Sequence, residues 1–206
     1  MASHRPYDIV KRSLDIFVAA IALILLSPLM ALLAILVAAD LGRPVVFVQE
    51  RPGLHGRLFA LRKFRSMRAT DPRSGLVTDA QRLSRFGRLL RSTSLDELPS
   101  LWNVLRGDMS IVGPRPLLVE YLGRYTPEQA RRHEVRPGMT GLAQVSGRNG
   151  LSWNEKFRLD VEYVDHRSAA LDAAIVLRTV RVVVAREGIA APGSVSAIEF
   201  QGRAAE

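Results

Sequence analysis

The run IFVAAIALILLSPLMALLAILVAA, Ile16 to Ala39, decides the architecture of this chain. It holds twenty-four residues without a charge, more than the roughly 20 that a helix needs to cross a bilayer. It is too long for the apolar region of a secretory signal, and no small-residue cleavage site is evident beyond it. The segment is therefore expected to stay in the protein and to hold it in a membrane. Ser27-Pro28 stands near its middle. Proline deletes one helical hydrogen bond and crowds the preceding turn, and in hydrocarbon a serine hydroxyl can satisfy the carbonyl set free. Arg5, Lys11 and Arg12 precede the segment; Arg43, Arg51 and Arg57 follow it. Cytoplasmic flanks carry the positive charge. A helix that enters, bends at Ser27-Pro28 and leaves by the same face satisfies both flanks. A merely kinked spanning helix is the alternative.

The 206 residues suit one domain with an attachment, and 48% hydrophobic content allows a core. The absence of cysteine removes disulfides, thiolate metal sites and a cysteine nucleophile. The net charge of +9 lies wholly beyond residue 40, because the first forty residues hold three charges of each sign. Such an excess suggests an anionic partner: nucleic acid, lipid headgroups or a phosphorylated small molecule. The histidines (His4, His55, His133, His166) show no ligand spacing, which argues against a transition-metal site.

Downstream, VVFVQE (45–50) is strand-like and closes on the turn signal Arg51-Pro52-Gly53. LFALRKF (58–64) could pair with it or lie on the membrane surface. A single helix is expected from Gln81 to Arg91, with Leu83, Phe86, Leu89 and Leu90 on one face.

The chemistry concentrates in RSTSLDELPSLWNVLRGDMSIVGPRP (91–116). Ser94 and Glu97 have the spacing of a capping box, and Asp96 and Glu97 fall in the first turn of the expected helix. A helix N-terminus favours an ionised acid, and an ionised carboxylate is a possible nucleophile. Capping without catalysis is the commoner meaning of this motif. Pro99 would disturb the second turn, and Gly107 is the expected C-cap. Two prolines flank Arg115 and would aim its guanidinium, a group suited to phosphate. Arg91 is close enough in sequence to face the same pocket as Asp96.

Thr126-Pro127-Glu128-Gln129 is a second, structural capping box. Residues 136–150, RPGMTGLAQVSGRNG, read as a glycine-rich loop whose N–H groups could cradle anions, or as an ordinary loop. Ser152 caps a helix to about Asp165, with Phe157, Val161 and Val164 as core candidates. Residues 171–186 form an apolar helix with Arg178, Arg181 and Arg186, lying either in the membrane interface or in the core. The expected class is α+β, mostly helical. Its parts are a membrane segment over 1–44, a cytoplasmic catalytic domain with interfacial amphipathic helices and little β-structure over 45–190, and a tail over 191–206. A non-catalytic module using the basic surface on nucleic acid is the rival. Only 6% aromatic residues and no nucleic-acid signature count against it.

Taken together, the Ser27-Pro28 segment, KFRSM (63–67), residues 91–116, residues 136–150 and SWNEKFRLDVEYV (152–164) resemble the small monotopic phosphoglycosyl transferases of bacteria. Several long motifs in one order make the resemblance specific. GPRPLLVEYL (113–122) and FQG (200–202) are most like the bacillosamine-type members of protein glycosylation. The resemblance implies transfer of a sugar-1-phosphate from a UDP-sugar, such as UDP-diNAc-bacillosamine, to undecaprenyl phosphate, with release of UMP. It implies a ping-pong course in which Asp96 is the nucleophile and Glu97 the base of the second step. It further implies Mg²⁺ as cofactor, held at Asp96, and substrate contacts from Lys63, Arg91, Arg115, Gln144 and Arg148. Ser27-Pro28 would turn the helix back, leaving both termini on the cytoplasmic face of the inner membrane. No nucleic acid partner is implied, and the oligomeric state is left open. Leu142, where many members carry an aromatic residue, and Ser100, where glutamine is frequent, depart from the pattern.

Overall fold

The computed structural model describes residues 6–147, 150–185 and 199–202. Helix α1 (Pro6–Leu41) takes up 36 residues, about 54 Å at 1.5 Å per residue. Pro28 lies inside it, and helical backbone continues through Ser27 and Pro28. The expected break is therefore not a gap in the helix. A residue with an N–H at position 28 would donate to the carbonyl of Ile24, four residues back. Ser27 Oγ donates to that carbonyl instead, at 2.8 Å, as a proline in hydrocarbon requires.

The two sides of α1 differ. Phe17, Ile24, Leu25, Leu32 and Ile35 are all more than half exposed, and only 11% of the most apolar stretch is buried. An apolar surface of this extent needs a membrane or a partner, and the mean hydropathy of 2.8 fits a membrane. The opposite side packs on the rest of the chain along its length. Ala19, Ala22, Leu23 and Leu26 meet Leu61, Leu101, Val104 and Met109. Further on, Leu33 and Val37 meet Phe64 and Leu90. Both ends are also hydrogen-bonded to that domain. Near the start, Arg12 donates to the carbonyls of Val104 and Leu105 at 2.7 and 2.9 Å, and Asp15 accepts from Ile111 N at 3.0 Å. Near the end, Ser84 donates to Asp40 at 2.5 Å, and Arg65 donates to the carbonyl of Leu41.

Strands β1 (Val46–Pro52) and β2 (Leu58–Phe64) form an antiparallel hairpin, with Val46 opposite Phe64 and Pro52 opposite Leu58. The two apolar runs pair, so the second does not lie free on the membrane surface. The single helix expected from Gln81 is two: α2 (Asp79–Arg82) and α3 (Arg85–Ser92). Ser84 separates them because its Oγ accepts from Gly87 N at 2.9 Å and caps the second. Leu90 of α3 is fully buried, worth about 1.5–3 kcal/mol of hydrophobic burial.

A 3₁₀ turn, Leu95–Glu97, precedes α4 (Ser100–Arg106). The helix expected from Ser94 thus starts only after Pro99, which fits that residue's missing donor. Gly107, at φ +97°, ends it in the left-handed conformation expected of a C-cap. β3 (Ser110–Val112) follows. Then comes α5 (Pro127–Ala130), whose Thr126 and Gln129 make the expected capping box.

Residues 136–150 are not simply a loop. β4 (Gly138–Thr140) pairs in parallel with β3, and α6 (Leu142–Ser146) follows. The glycines allow backbone contact: a Cβ on Gly138 would lie 2.1 Å from Gly113 N, and one on Gly141 2.2 Å from Gly113 O. That close approach accounts for Gly138 and Gly141 without an anion cradle.

α7 (Trp153–His166) starts on the Ser152–Glu155 capping box and buries Phe157, Val161 and Val164, as expected. α8 (Ala169–Ala185) has one side in the core and one side exposed. Ile175 is in the core, whereas Val176, Leu177 and Val180 are exposed, as are Arg178 and Arg181. Phe200 packs among Tyr121, Tyr125, Trp153 and Phe157, which ties the FQG stretch to the domain. The remainder of the tail lies outside the described residues.

Candidate active site

The site forms where the turn before α4 meets β2. Asn103, fully buried on α4, accepts from Arg62 N at 3.1 Å and donates to Ala60 O at 2.8 Å. Ser100 donates to Arg62 O at 2.7 Å. These bonds fasten α4 along β2 and bring Lys63 against Glu97. Ser100 is thus one of the fasteners.

Lys63 Nζ and Arg115 Nη2 both donate to Glu97 Oε1, at 2.6 and 2.9 Å. Glu97 therefore does not reach back to Ser94. Ser94 makes no side-chain cap bond either, because it sits at φ +57° in the left-handed region rather than in the extended N-cap conformation. The expected capping box is absent. Burial would raise the Glu97 carboxyl, but Arg115 and Lys63 outweigh it and hold the group near 2. Burial pulls the Lys63 ammonium below its ordinary value, and Glu97 only partly restores it. Arg115 is raised, by Glu97 first.

Asp96 behaves oppositely. It is 9% exposed, and its carboxylate makes no hydrogen bond or ion pair with any described residue. Burial, then the charge of Glu97, pushes it up to about 6, against the pull of Lys63, Arg115 and Arg91. A helix start was expected to favour the ionised form. Here a short 3₁₀ turn replaces the helix end, and burial dominates.

Arg115 is placed from behind. Arg132 donates to the Arg115 carbonyl at 2.7 Å and to Asp160 at 2.7 and 3.0 Å, in a pair almost wholly buried. Removing one partner of such a pair typically costs about 3–5 kcal/mol, so the Gly113–Pro116 turn is firmly held. Arg91 stands farther off. It donates to Ser66 Oγ and Met67 Sδ, both at 2.9 Å, and reaches Asp96 through its charge.

A small open cleft lies over these groups, lined among others by Arg51, Lys63, Glu97, Ser100, Arg115 and Met139. Asp96 lies beside it rather than in its wall. The structure thus gathers Asp96, Glu97, Lys63 and Arg115, with Arg91 adjacent. Gln144, on α6, is not in the cleft wall. Both polar atoms of its amide are buried without a partner among the described residues. Arg148 lies outside the described residues. Sequence reading did not single out Arg51, Arg132 or Asp160 as site residues. The sequence presents Arg51 as a flanking charge and as part of the turn signal Arg51-Pro52-Gly53, and the Arg132–Asp160 pair spans 28 residues, a separation that no local pattern signals.

A buried carboxylate without a hydrogen-bond or ion-pair partner among the described residues can attack a phosphorus centre, and the two cations that clamp its neighbour can stabilise a departing phosphate. Comparison with known proteins shows the family. The bacterial sugar transferase model matches residues 6–186, and the chain belongs to that family, the bacterial phosphoglycosyl transferases. It is 50% identical to the uncharacterized sugar transferase EpsL of Bacillus subtilis, over 94% of this chain and 96% of that one. It is 42% identical to the UDP-glucose:undecaprenyl-phosphate glucose-1-phosphate transferase of Caulobacter vibrioides, over 84% of this chain and 69% of that one. It is 40% identical to the undecaprenyl-phosphate galactose phosphotransferase of Salmonella typhimurium, over 86% of this chain. There it spans only 41% of the relative's length.

Proposed function

We propose that this transferase moves a sugar-1-phosphate from a UDP-sugar to polyprenyl phosphate in two steps. An Asp96 carboxylate oxygen attacks the β-phosphorus of the donor. The bond from that phosphorus to the oxygen bridging the α-phosphorus breaks, and UMP leaves. The phosphosugar stays on Asp96 as an acyl phosphate. A phosphate oxygen of the polyprenyl phosphate then attacks the same phosphorus, the Asp96 O–P bond breaks, and polyprenyl-diphosphate-sugar is released with the carboxylate regenerated. Phosphoryl transfer asks a protein mainly for positioning and charge neutralisation, which Lys63 and Arg115 supply.

The observation that carries this reading is the contrast within the dyad. Asp96, raised to about 6, is a more basic carboxylate than usual and is still mostly ionised at neutral pH. Glu97 is held as an anion by Lys63 and Arg115. Its surroundings favour a role as anchor of those two cations over the role of base. A phosphate monoester, with its second pKa near 6, is largely dianionic at neutral pH and needs little help to attack.

Mg²⁺ fits the donor set. Among the described residues no three carboxylates or histidines converge, but Mg²⁺ is commonly held by one or two carboxylates together with substrate phosphates. Asp96 is the available protein ligand. Bound there, the ion would neutralise charge on the donor's diphosphate.

The same-side topology belongs to this proposal. One domain bonds both ends of α1 and packs along its length, which a helix crossing the bilayer would not permit for a domain on one side. A helix that dips into the cytoplasmic leaflet and returns, bending around Pro28 without losing helical backbone, satisfies these contacts. The exposed apolar face of α1 then lies in lipid, with Leu177 and Val180 of α8 at the interface. Gln144, with its unpaired amide, and Arg148 are the proposed nucleotide contacts. An N-acetylated amino sugar of the bacillosamine type is the proposed donor sugar, on the GPRPLLVEYL and FQG runs.

The test is UMP release in detergent with Mg²⁺, polyprenyl phosphate and UDP-sugars supplied one at a time. One sugar should support release, and Asp96→Asn should abolish it. Near-normal release by that variant would refute the assignment.

A further inference from the structure

Arg51 is a third cation in the cleft wall, and the two-step transfer above leaves it without a task. It lies two residues from Gln49 on β1, so both side chains leave the same face of the strand. Arg51 Nη2 donates to Gln49 Oε1 at 2.6 Å, while its Nε is buried and finds no acceptor among the described residues. No carboxylate pairs with it among those residues; Glu97, the one acid of the wall, is taken by Lys63 and Arg115. Burial and the charge of Arg115 both push the guanidinium below its ordinary value. Buried polar groups are nearly always paired. A guanidinium aimed by a neighbouring amide, with an N–H left over and the charge of Glu120 acting on it without an ion pair, is suited to an anion that arrives from outside. Its planar fork matches phosphate oxygens.

We propose that Arg51, oriented by Gln49, is a phosphate-oxygen contact of this cleft. The inference rests on the transfer reading for the identity of the anion, which is either the donor's diphosphate or the acceptor's phosphate. Gln49 is a positioning residue and touches no substrate.

Arg51→Gln should raise one KM at least about tenfold, the scale of a lost charge-assisted contact, with kcat changed far less. A rise for the UDP-sugar places the contact on the diphosphate; a rise for polyprenyl phosphate places it on the acceptor. Gln49→Ala should raise the same KM by less. Arg51→Lys, which keeps the charge and loses the fork, should fall between, and it serves if Arg51→Gln does not fold. Inorganic pyrophosphate should raise the Tm of the wild-type protein and not that of Arg51→Gln. This last measurement does not need turnover. If the wild type releases no UMP from any UDP-sugar, the transfer reading fails, and the pyrophosphate shift still decides Arg51. Unchanged KM values in all three variants, or equal stabilisation of wild type and Arg51→Gln by pyrophosphate, would overturn the proposal.

Discussion

Asp96 and Glu97 are adjacent in the chain and are driven in opposite directions, one to about 6 and the other to about 2. Burial acts on both. Only Glu97 has cations in hydrogen-bond contact, Lys63 at 2.6 Å and Arg115 at 2.9 Å. The pair thereby divides its labour: one carboxylate is kept basic and available, the other is spent on fixing the two cations.

Stability should report this division. The folded-state value of Asp96 lies above its ordinary 3.8. The folded state therefore binds more protons between about 4 and about 6, and stability falls as pH rises through that window. Asp96→Asn removes the cost and should raise stability at pH 7 by about 1–3 kcal/mol. Glu97 lies below its ordinary 4.5, so its contribution is full above about 4.5 and is lost as pH falls toward about 2. Glu97→Gln leaves two partly buried cations unpaired and should lower stability by about 2 kcal/mol. Thermal melts of the two variants at pH 7 should move to opposite sides of the wild type.

The rate of UMP release should follow the ionisation of Asp96. Release should be slow below about pH 5, rise through an apparent value near 6 and level off above it, because only the carboxylate attacks. A stopped-flow pH profile with donor alone checks this. A flat profile between pH 5 and 8 would detach the chemistry from Asp96.

Topology has its own test. The chain has no cysteine, so single cysteines report cleanly. Ala2→Cys and Arg43→Cys flank α1 and should both resist a membrane-impermeant maleimide in spheroplasts, and both should react in inverted vesicles. Opposite behaviour of the two positions would mean that α1 crosses the bilayer.

Removing the cations of the dyad should cost the reaction more than the fold. Lys63→Ala and Arg115→Ala should each slow UMP release by about 10²-fold or more, the scale of losing one preorganised electrostatic contact. Arg132→Ala should give a smaller loss together with a lower Tm, because it acts through the Arg115 carbonyl.

The membrane helix, the hairpin and the dyad were legible because each has a local signature: twenty-four uncharged residues, two apolar runs around Arg-Pro-Gly, and paired acids before a proline. The Ser27 bond to Ile24 O was legible too, since a proline dictates which carbonyl it frees. The environment of the dyad was not. The Ser94–Glu97 spacing suits a capping box in any isolated helix, and only the arrival of Lys63 and Arg115 from 34 and 18 residues away redirects Glu97. Burial likewise reversed the expectation for Asp96, and burial is not a local property. In the 136–150 run, glycines that suggested an anion cradle serve instead to bring β4 and α6 against Gly113.

Mass spectrometry of enzyme mixed with UDP-sugar alone tests the central claim most directly. Trypsin should yield the peptide 92–106, and it should carry the added mass of one phosphosugar, with fragmentation placing it on Asp96 and hydroxylamine removing it. An adduct on another residue, or UMP appearing only when polyprenyl phosphate is also present, would contradict the account.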